Sequence, residues 1–161
     1  MQSLVQLETT ARSLSDQAKY SEAVEVYRML LSRQPNWEHG QGCYELAWHL
    51  EQLGQYDEAM EWYKRAIDQR PHYPYFWSAY ASLATKCGDP MDALFYLFPA
   101  LKYESANTAT ANKLCKLLAL AASRAGKSRQ LIEEIAVSYG FGPAVVAQIR
   151  DHWPADTVIA D

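Results

Sequence analysis

The amino-acid sequence predicts an all-α fold, an α-solenoid of stacked helical hairpins. Three features point there. First, the block Lys19-Tyr20-Ser21-Glu22-Ala23 recurs as Gln55-Tyr56-Asp57-Glu58-Ala59, and again as Gly88-Asp89-Pro90-Met91-Asp92-Ala93. The three alanines stand 36 and then 34 residues apart, a period typical of helical repeats. Second, apolar residues recur at three- and four-residue intervals, which places one apolar stripe on each helix. Third, no run rich in β-formers is available to build a sheet. A single hairpin cannot bury its own stripe, so stacking hairpins is the stable solution.

The first hairpin is expected over about residues 4–37. Leu4, Leu7, Ala11 and Leu14 make the stripe of its leading helix, and Ala18 holds the turn. Ala23, Tyr27 and Pro35 follow in the second helix and the exit. The second hairpin covers about 38–73, with Cys43, Leu46, Ala47 and Leu50 as its leading stripe. Gly54 marks its turn, and Ala59, Tyr63, Ala66 and Pro71 complete it. Two residues near Glu38-His39 are extra to the period.

The third hairpin covers about 74–107, through Trp77, Ala81, Gly88, Ala93, Leu97 and Ala100. Asp89-Pro90 reads as an N-cap followed by a first-turn proline. Pro99 falls inside the next helix and is expected to kink it. A fourth, degenerate unit over about 108–140 uses Cys115, Leu118, Ala119, Gly126 and Leu131. Extra residues around Thr108 to Ala111 predict a longer helix from about Asn107 to Ala125. Gly54, Gly88 and Gly126 each follow an apolar-periodic run, where a left-handed residue stops a helix. After Tyr139-Gly140-Phe141-Gly142 a capping helix is expected at about 143–151, with 152–161 as a tail. Residues 1–151 would then form one superhelical domain.

These blocks resemble the tetratricopeptide repeat family. Leu46, Gly54, Tyr56, Ala59, Tyr63, Ala66 and Pro71 fall in the family's slots, and Trp77 takes the tryptophan slot of the third unit. Cys43 stands where that tryptophan is usual in the second unit, and Ala47 where glycine is usual.

Composition narrows the function. The 161 residues carry a formal net charge of −4, with no global basic field to recruit nucleic acid. No stretch approaches the length of a membrane-spanning helix, so no membrane insertion is expected. Met1 to Ser15 lacks a continuous hydrophobic signal core. The three cysteines, Cys43, Cys87 and Cys115, form no CxxC pair and read as small buried hydrophobes in a reducing compartment. The expected location is cytoplasmic.

No catalytic or cofactor chemistry is predicted. Ala121-Ala122-Ser123-Arg124-Ala125-Gly126-Lys127-Ser128 satisfies a permissive phosphate-loop pattern, but a genuine loop follows a strand, and here the preceding residues are helical in period. His39, His49, His72 and His152 form no metal-ligand motif; pairs such as His39 with Cys43, or Glu45 with His49, fall short of the three or four ligands that zinc needs. No nucleophile elbow organises the serines.

The resemblance implies instead a protein-binding scaffold, whose first helices line a concave groove that holds an extended or helical segment of another protein. Transferred to this chain, the groove positions are Val5, Glu8, Arg12 and Asp16 in the first unit. They are Gln41, Tyr44, Trp48, Glu51 and Gln52 in the second, and Tyr75, Ser78, Ser82 and Lys86 in the third. The fourth unit offers Lys113, Lys116, Leu120 and Arg124. Tyr44 and Trp48 lie one turn apart, off the packing stripe, and with Tyr75 are expected to form an aromatic anchor. Lys113, Lys116 and Arg124 would make a basic end. The family's carboxylate clamp is absent, because its slots hold Glu8, Arg12, Glu45, Tyr75 and Ala79. Two other roles fit the same pattern: a bacterial secretion-type chaperone, and a structural module that assembles into a homo-oligomer.

Overall fold

The structure is a computed structural model that describes residues 1–104 and 108–155. It is all-α: nine α-helices and no strand occur among the described residues. The helices form two compact units, the first covering Met1–Pro71 and the second starting at His72.

In the first unit, α1 (Leu4–Asp16) pairs with α2 (Tyr20–Arg33), and α3 (Gln41–Gln52) pairs with α4 (Tyr56–Gln69). Helix α1 starts at a capping box: the Ser3 hydroxyl accepts from the Gln6 amide at 3.2 Å, and the Ser3 amide donates to Gln6 Oε1 at 2.7 Å. Two otherwise orphaned amides are satisfied there. The α3–α4 turn runs through Gly54 at φ 73°, and the α1–α2 turn through Ala18 at φ 56°. Ala18 thus adopts a left-handed conformation that disfavours any residue with a Cβ.

The core of the unit is the expected stripe. Leu7, Ala11, Ala23, Tyr27, Leu30, Cys43, Leu46, Ala47, Leu50, Ala59, Tyr63 and Ala66 are all buried. The alanines matter for their size: with Ala23 and Ala59 fully buried, the paired helices come close enough for the tyrosines to fill the space between. The two extra residues near Glu38-His39 form a short 3-10 turn, Trp37–Gly40. Glu38, His39 and Gly40 have φ of 47°, 51° and 96°, so a brief left-handed turn delivers the chain into α3.

The second unit holds α5 (Pro74–Cys87), α6 (Pro90–Lys102), α7 (Ala109–Arg124), α8 (Arg129–Ser138) and α9 (Pro143–Asp151). Asp89 caps α6 through its carboxylate, which accepts from the Met91 amide at 2.8 Å. Thr108 and Ser128 cap α7 and α8 in the same way. Helix α7 is the longest described, at 16 residues, and begins just after residues 105–107, which lie outside the description along with 156–161.

Two sequence expectations need correction. Gly88 does not stop α5 in a left-handed conformation; its φ is −114°, and Asp89-Pro90 alone sets the corner. Pro99 lies inside α6, and the helix runs on past it to Lys102. Pro99 lacks the N–H that would donate to the carbonyl of Phe95, one turn earlier in α6. Cys87 is exposed, whereas Cys43 and Cys115 are buried thiols.

The fourth hairpin is loose. Helix α9 packs against α7 more extensively than α8 does. Only Ile132 and Ala136 of α8 are buried, while Val145, Val146 and Ile149 of α9 are. His152 reaches across to Asn112 at 2.7 Å and fixes the end of α9 on α7.

Candidate peptide-binding face

Helix α3 turns Cys43, Leu46, Ala47 and Leu50 into the core, which leaves Gln41, Tyr44, Glu45, Trp48, Glu51 and Gln52 on its other side. Tyr44 and Trp48 are half-buried, not free-standing. The Tyr44 ring lies 5.6 Å from that of Tyr63 on α4. The Trp48 ring meets Tyr20 on α2 edge-on at 5.8 Å and His49 at 4.9 Å. Each anchor is therefore partly exposed and rests against a ring of a neighbouring helix. Such a ring is pre-oriented and loses little freedom when a partner covers it.

Polar contacts fix the surroundings. Tyr63 donates to Glu51 Oε2 at 2.9 Å, and Gln41 donates to Glu45 Oε1 at 2.8 Å. On α1, Arg12 pairs with Glu8 at 2.7 Å. Burial pushes the Tyr27 hydroxyl well above its ordinary range, Glu45 adds to that shift, and Arg12 opposes it. With Glu8, Asp16, Glu45 and Glu51 against Arg12, this face of the first unit is acidic.

His49, considered in the sequence only as a possible ligand beside Glu45, sits almost fully buried behind the anchor. Its Nδ1–H donates to the Glu45 carbonyl at 2.6 Å, and its Nε2 is buried with no hydrogen-bond partner. The Glu45–His49 pair is thus joined by a side-chain-to-backbone hydrogen bond across one turn of α3. Among the described residues no group of three His, Cys, Asp or Glu side chains could hold a metal ion.

In the second unit Tyr75 is 49% exposed, with its ring 6.1 Å from Tyr73. Lys86, Lys113 and Lys116 are exposed and pair with no carboxylate among the described residues. Ser78 is buried and cannot meet a partner. Arg124 has a structural use: its guanidinium donates to the Thr85 carbonyl, tying the end of α7 to the last turn of α5. A cation at that carbonyl also offsets the helix dipole.

The phosphate-loop-like residues form an inter-helix turn. Gly126 has φ 66°, α7 rather than a strand precedes it, and the Ser128 hydroxyl caps α8 by accepting from Leu131 at 3.2 Å. No helix among the described residues is long and apolar enough to cross a membrane.

Residues 9–74 match the family model described as tetratricopeptide repeat. No curated protein matches the chain. Among solved structures, the TPR2B domain of yeast Sti1 in complex with pHsp70 is similar at 20% identity and a TM-score of 0.66, over 75% of this chain and 97% of that one. MamA of Desulfovibrio magneticus RS-1, as an ArsTM double mutant, is similar at 15% identity and a TM-score of 0.70, over 92% and 76%. YrrB, described as a TPR protein with an unusual peptide-binding site, is similar at 18% identity and a TM-score of 0.64, over 93% and 71%. The chain is thus an all-α solenoid of helical hairpins, of which residues 9–74 match the tetratricopeptide repeat model.

Proposed function

We propose that the protein is a non-catalytic interaction scaffold, which holds a peptide segment of a partner protein along the first helices of its repeats. The repeats would run over about 4–37, 38–73, 74–107 and 108–140 as one superhelical domain, closed by α9. The observation that carries this reading is α3 itself. It presents two large aromatic rings, Tyr44 and Trp48, off the packing stripe, each braced from behind by a ring of another helix. Rigid, half-buried aromatics of this kind are the residues that dominate binding energy at interfaces. Tyr75 would extend the anchor, with Gln41 and Glu51 beside it and Lys86, Lys113 and Lys116 supplying a basic end.

Two of the similar solved proteins are described as holding or binding a peptide-like partner, which is consistent with that use of the fold. A carboxylate-clamp ligand of the kind known for the family does not suit this chain. The acidic and aromatic side chains Glu8, Glu45 and Tyr75 occupy the positions where a carboxylate clamp needs lysine and asparagine.

The test is capture of the partner on the immobilised chain, compared with a Tyr44→Ala, Tyr75→Ala double variant. Both positions lie off the core, so the variant is expected to keep its helical spectrum and to lose at least tenfold in affinity, about 1.4 kcal/mol. Equal capture by a folded double variant would place the partner on another surface.

A further inference from the structure

A second concave feature lies on the second helices of the first unit, a cleft of about 370 Å³ between α2 and α4. Its floor is apolar, made by Leu31, Pro35, Cys43 and the Trp62 ring. One wall is rigid and electrically closed. Arg28 grips both oxygens of Glu58, at 2.7 and 2.9 Å, and the Trp62 indole N–H donates to the same carboxylate at 3.2 Å. Glu58 is charge-paired, and Arg28 holds its carboxyl below the ordinary range. The Trp62 ring is thereby locked in orientation.

The other wall is open. The Arg65 guanidinium lies 4.3 Å from the centroid of the Trp62 ring and pairs with no carboxylate among the described residues. Burial raises the Cys43 thiol, and the charge of Arg65 works against that rise, which places the guanidinium's field at the cleft floor. One turn along α4 from Arg65, Gln69 donates through Nε2 to the Pro35 carbonyl at 2.9 Å and to Cys43 Sγ at 3.5 Å. That contact fixes the amide, and its Oε1 is left buried without a hydrogen-bond partner. Buried acceptors in folded proteins almost always have a donor.

We propose that this cleft is a docking site, separate from the Tyr44–Trp48 face, for an acidic peptide in which a large apolar side chain adjoins a carboxylate. The apolar side chain fills the floor against Trp62 and Leu31. The carboxylate takes the fork of Arg65, whose stacking on Trp62 already orders it for such a bond. The volume is at the small end of ligand pockets, which suits one large side chain with its adjoining main chain. A basic peptide is disfavoured, because the unpaired charge beside the floor is that of Arg65, while Glu58 is already paired with Arg28.

The experiment is two-dimensional NMR of the isotope-labelled full chain, titrated with acetyl-Phe-Asp-amide and with its neutral counterpart acetyl-Phe-Asn-amide. The aspartate peptide is expected to shift the Trp62 indole, the Arg65 Nε–H and the Gln69 side-chain amide along one saturable curve. The asparagine peptide is expected to bind at least about tenfold more weakly, because it forfeits the charge-assisted bond. Arg65→Ala, at an exposed position, is expected to abolish the response while leaving the rest of the spectrum in place. Tyr44→Ala is expected to leave it unchanged. No saturable shift up to about 10 mM peptide, an equal response to both peptides, or an unaltered response in Arg65→Ala would overturn the proposal.

Discussion

The first two hairpins turn at equivalent positions with different residues, and exchanging those residues isolates a purely backbone effect. Ala18 and Gly54 have φ of 56° and 73°, and both are exposed. A Cβ built on Gly54 would touch nothing within 4 Å. An L-residue held left-handed costs about 1–2 kcal/mol. Glycine avoids that cost but loses about 0.5–1 kcal/mol of extra chain freedom on folding. The difference predicts that Ala18→Gly stabilises the protein by about 0.5–1 kcal/mol, and that Gly54→Ala destabilises it by a similar amount. For a chain of 161 residues that corresponds to shifts in Tm of about 1–4 °C, opposite in sign. Thermal unfolding followed by circular dichroism reads both. A destabilised Ala18→Gly together with an unaffected Gly54→Ala would refute the equivalence of the two turns.

Other outcomes follow from packing and burial. Ala59 is fully buried between paired helices, so Ala59→Leu is expected to cost about 1–3 kcal/mol in denaturant unfolding. Trp48→Ala removes two ring contacts, at 5.8 and 4.9 Å, and is expected to cost about 1–3 kcal/mol as well as binding. A loss under about 0.5 kcal/mol would show that Trp48 does not lean on Tyr20 and His49. Cys87 is expected to react quickly with a thiol reagent, and Cys43 and Cys115 slowly; three fast equivalents would contradict their burial. Burial raises the Cys115 thiol from 9.0 to about 11. Between those values the unfolded chain ionises this thiol and the folded chain does not. Its contribution to stability is therefore intact below about pH 9 and is lost as pH rises toward 11, which urea unfolding across that window measures.

The hairpins were legible because the same physical demand recurs in each. A small residue at Ala23, Ala59 and Ala93, an aromatic or leucine one turn later, and a helix stop before each second helix leave a periodic trace. The exceptions lie where two residues can meet one demand. At the α5–α6 corner Asp89 and Pro90 already set the chain direction, so Gly88 needs no left-handed turn. The fourth unit was less legible because α8 is only 10 residues long and buries little, which lets α9 take much of the surface of α7. Tyr44 and Trp48 could be placed off the stripe by helical spacing alone. Their supports, Tyr20 and Tyr63, come from other helices, and no local pattern announces such contacts. The Arg28–Glu58 pair, 30 residues apart, escapes a reading by spacing for the same reason.

The most direct measurement of the proposed function is site-specific photo-crosslinking. A benzophenone side chain would replace Tyr44 or Tyr75 on the candidate face, and Glu22, exposed on α2, as the control. After irradiation in an extract of the native cell, mass spectrometry reads which segment of which protein is attached. The scaffold reading predicts one defined peptide segment captured from both Tyr44 and Tyr75 and absent from Glu22. Capture from Glu22 with none from Tyr44 or Tyr75 would contradict it.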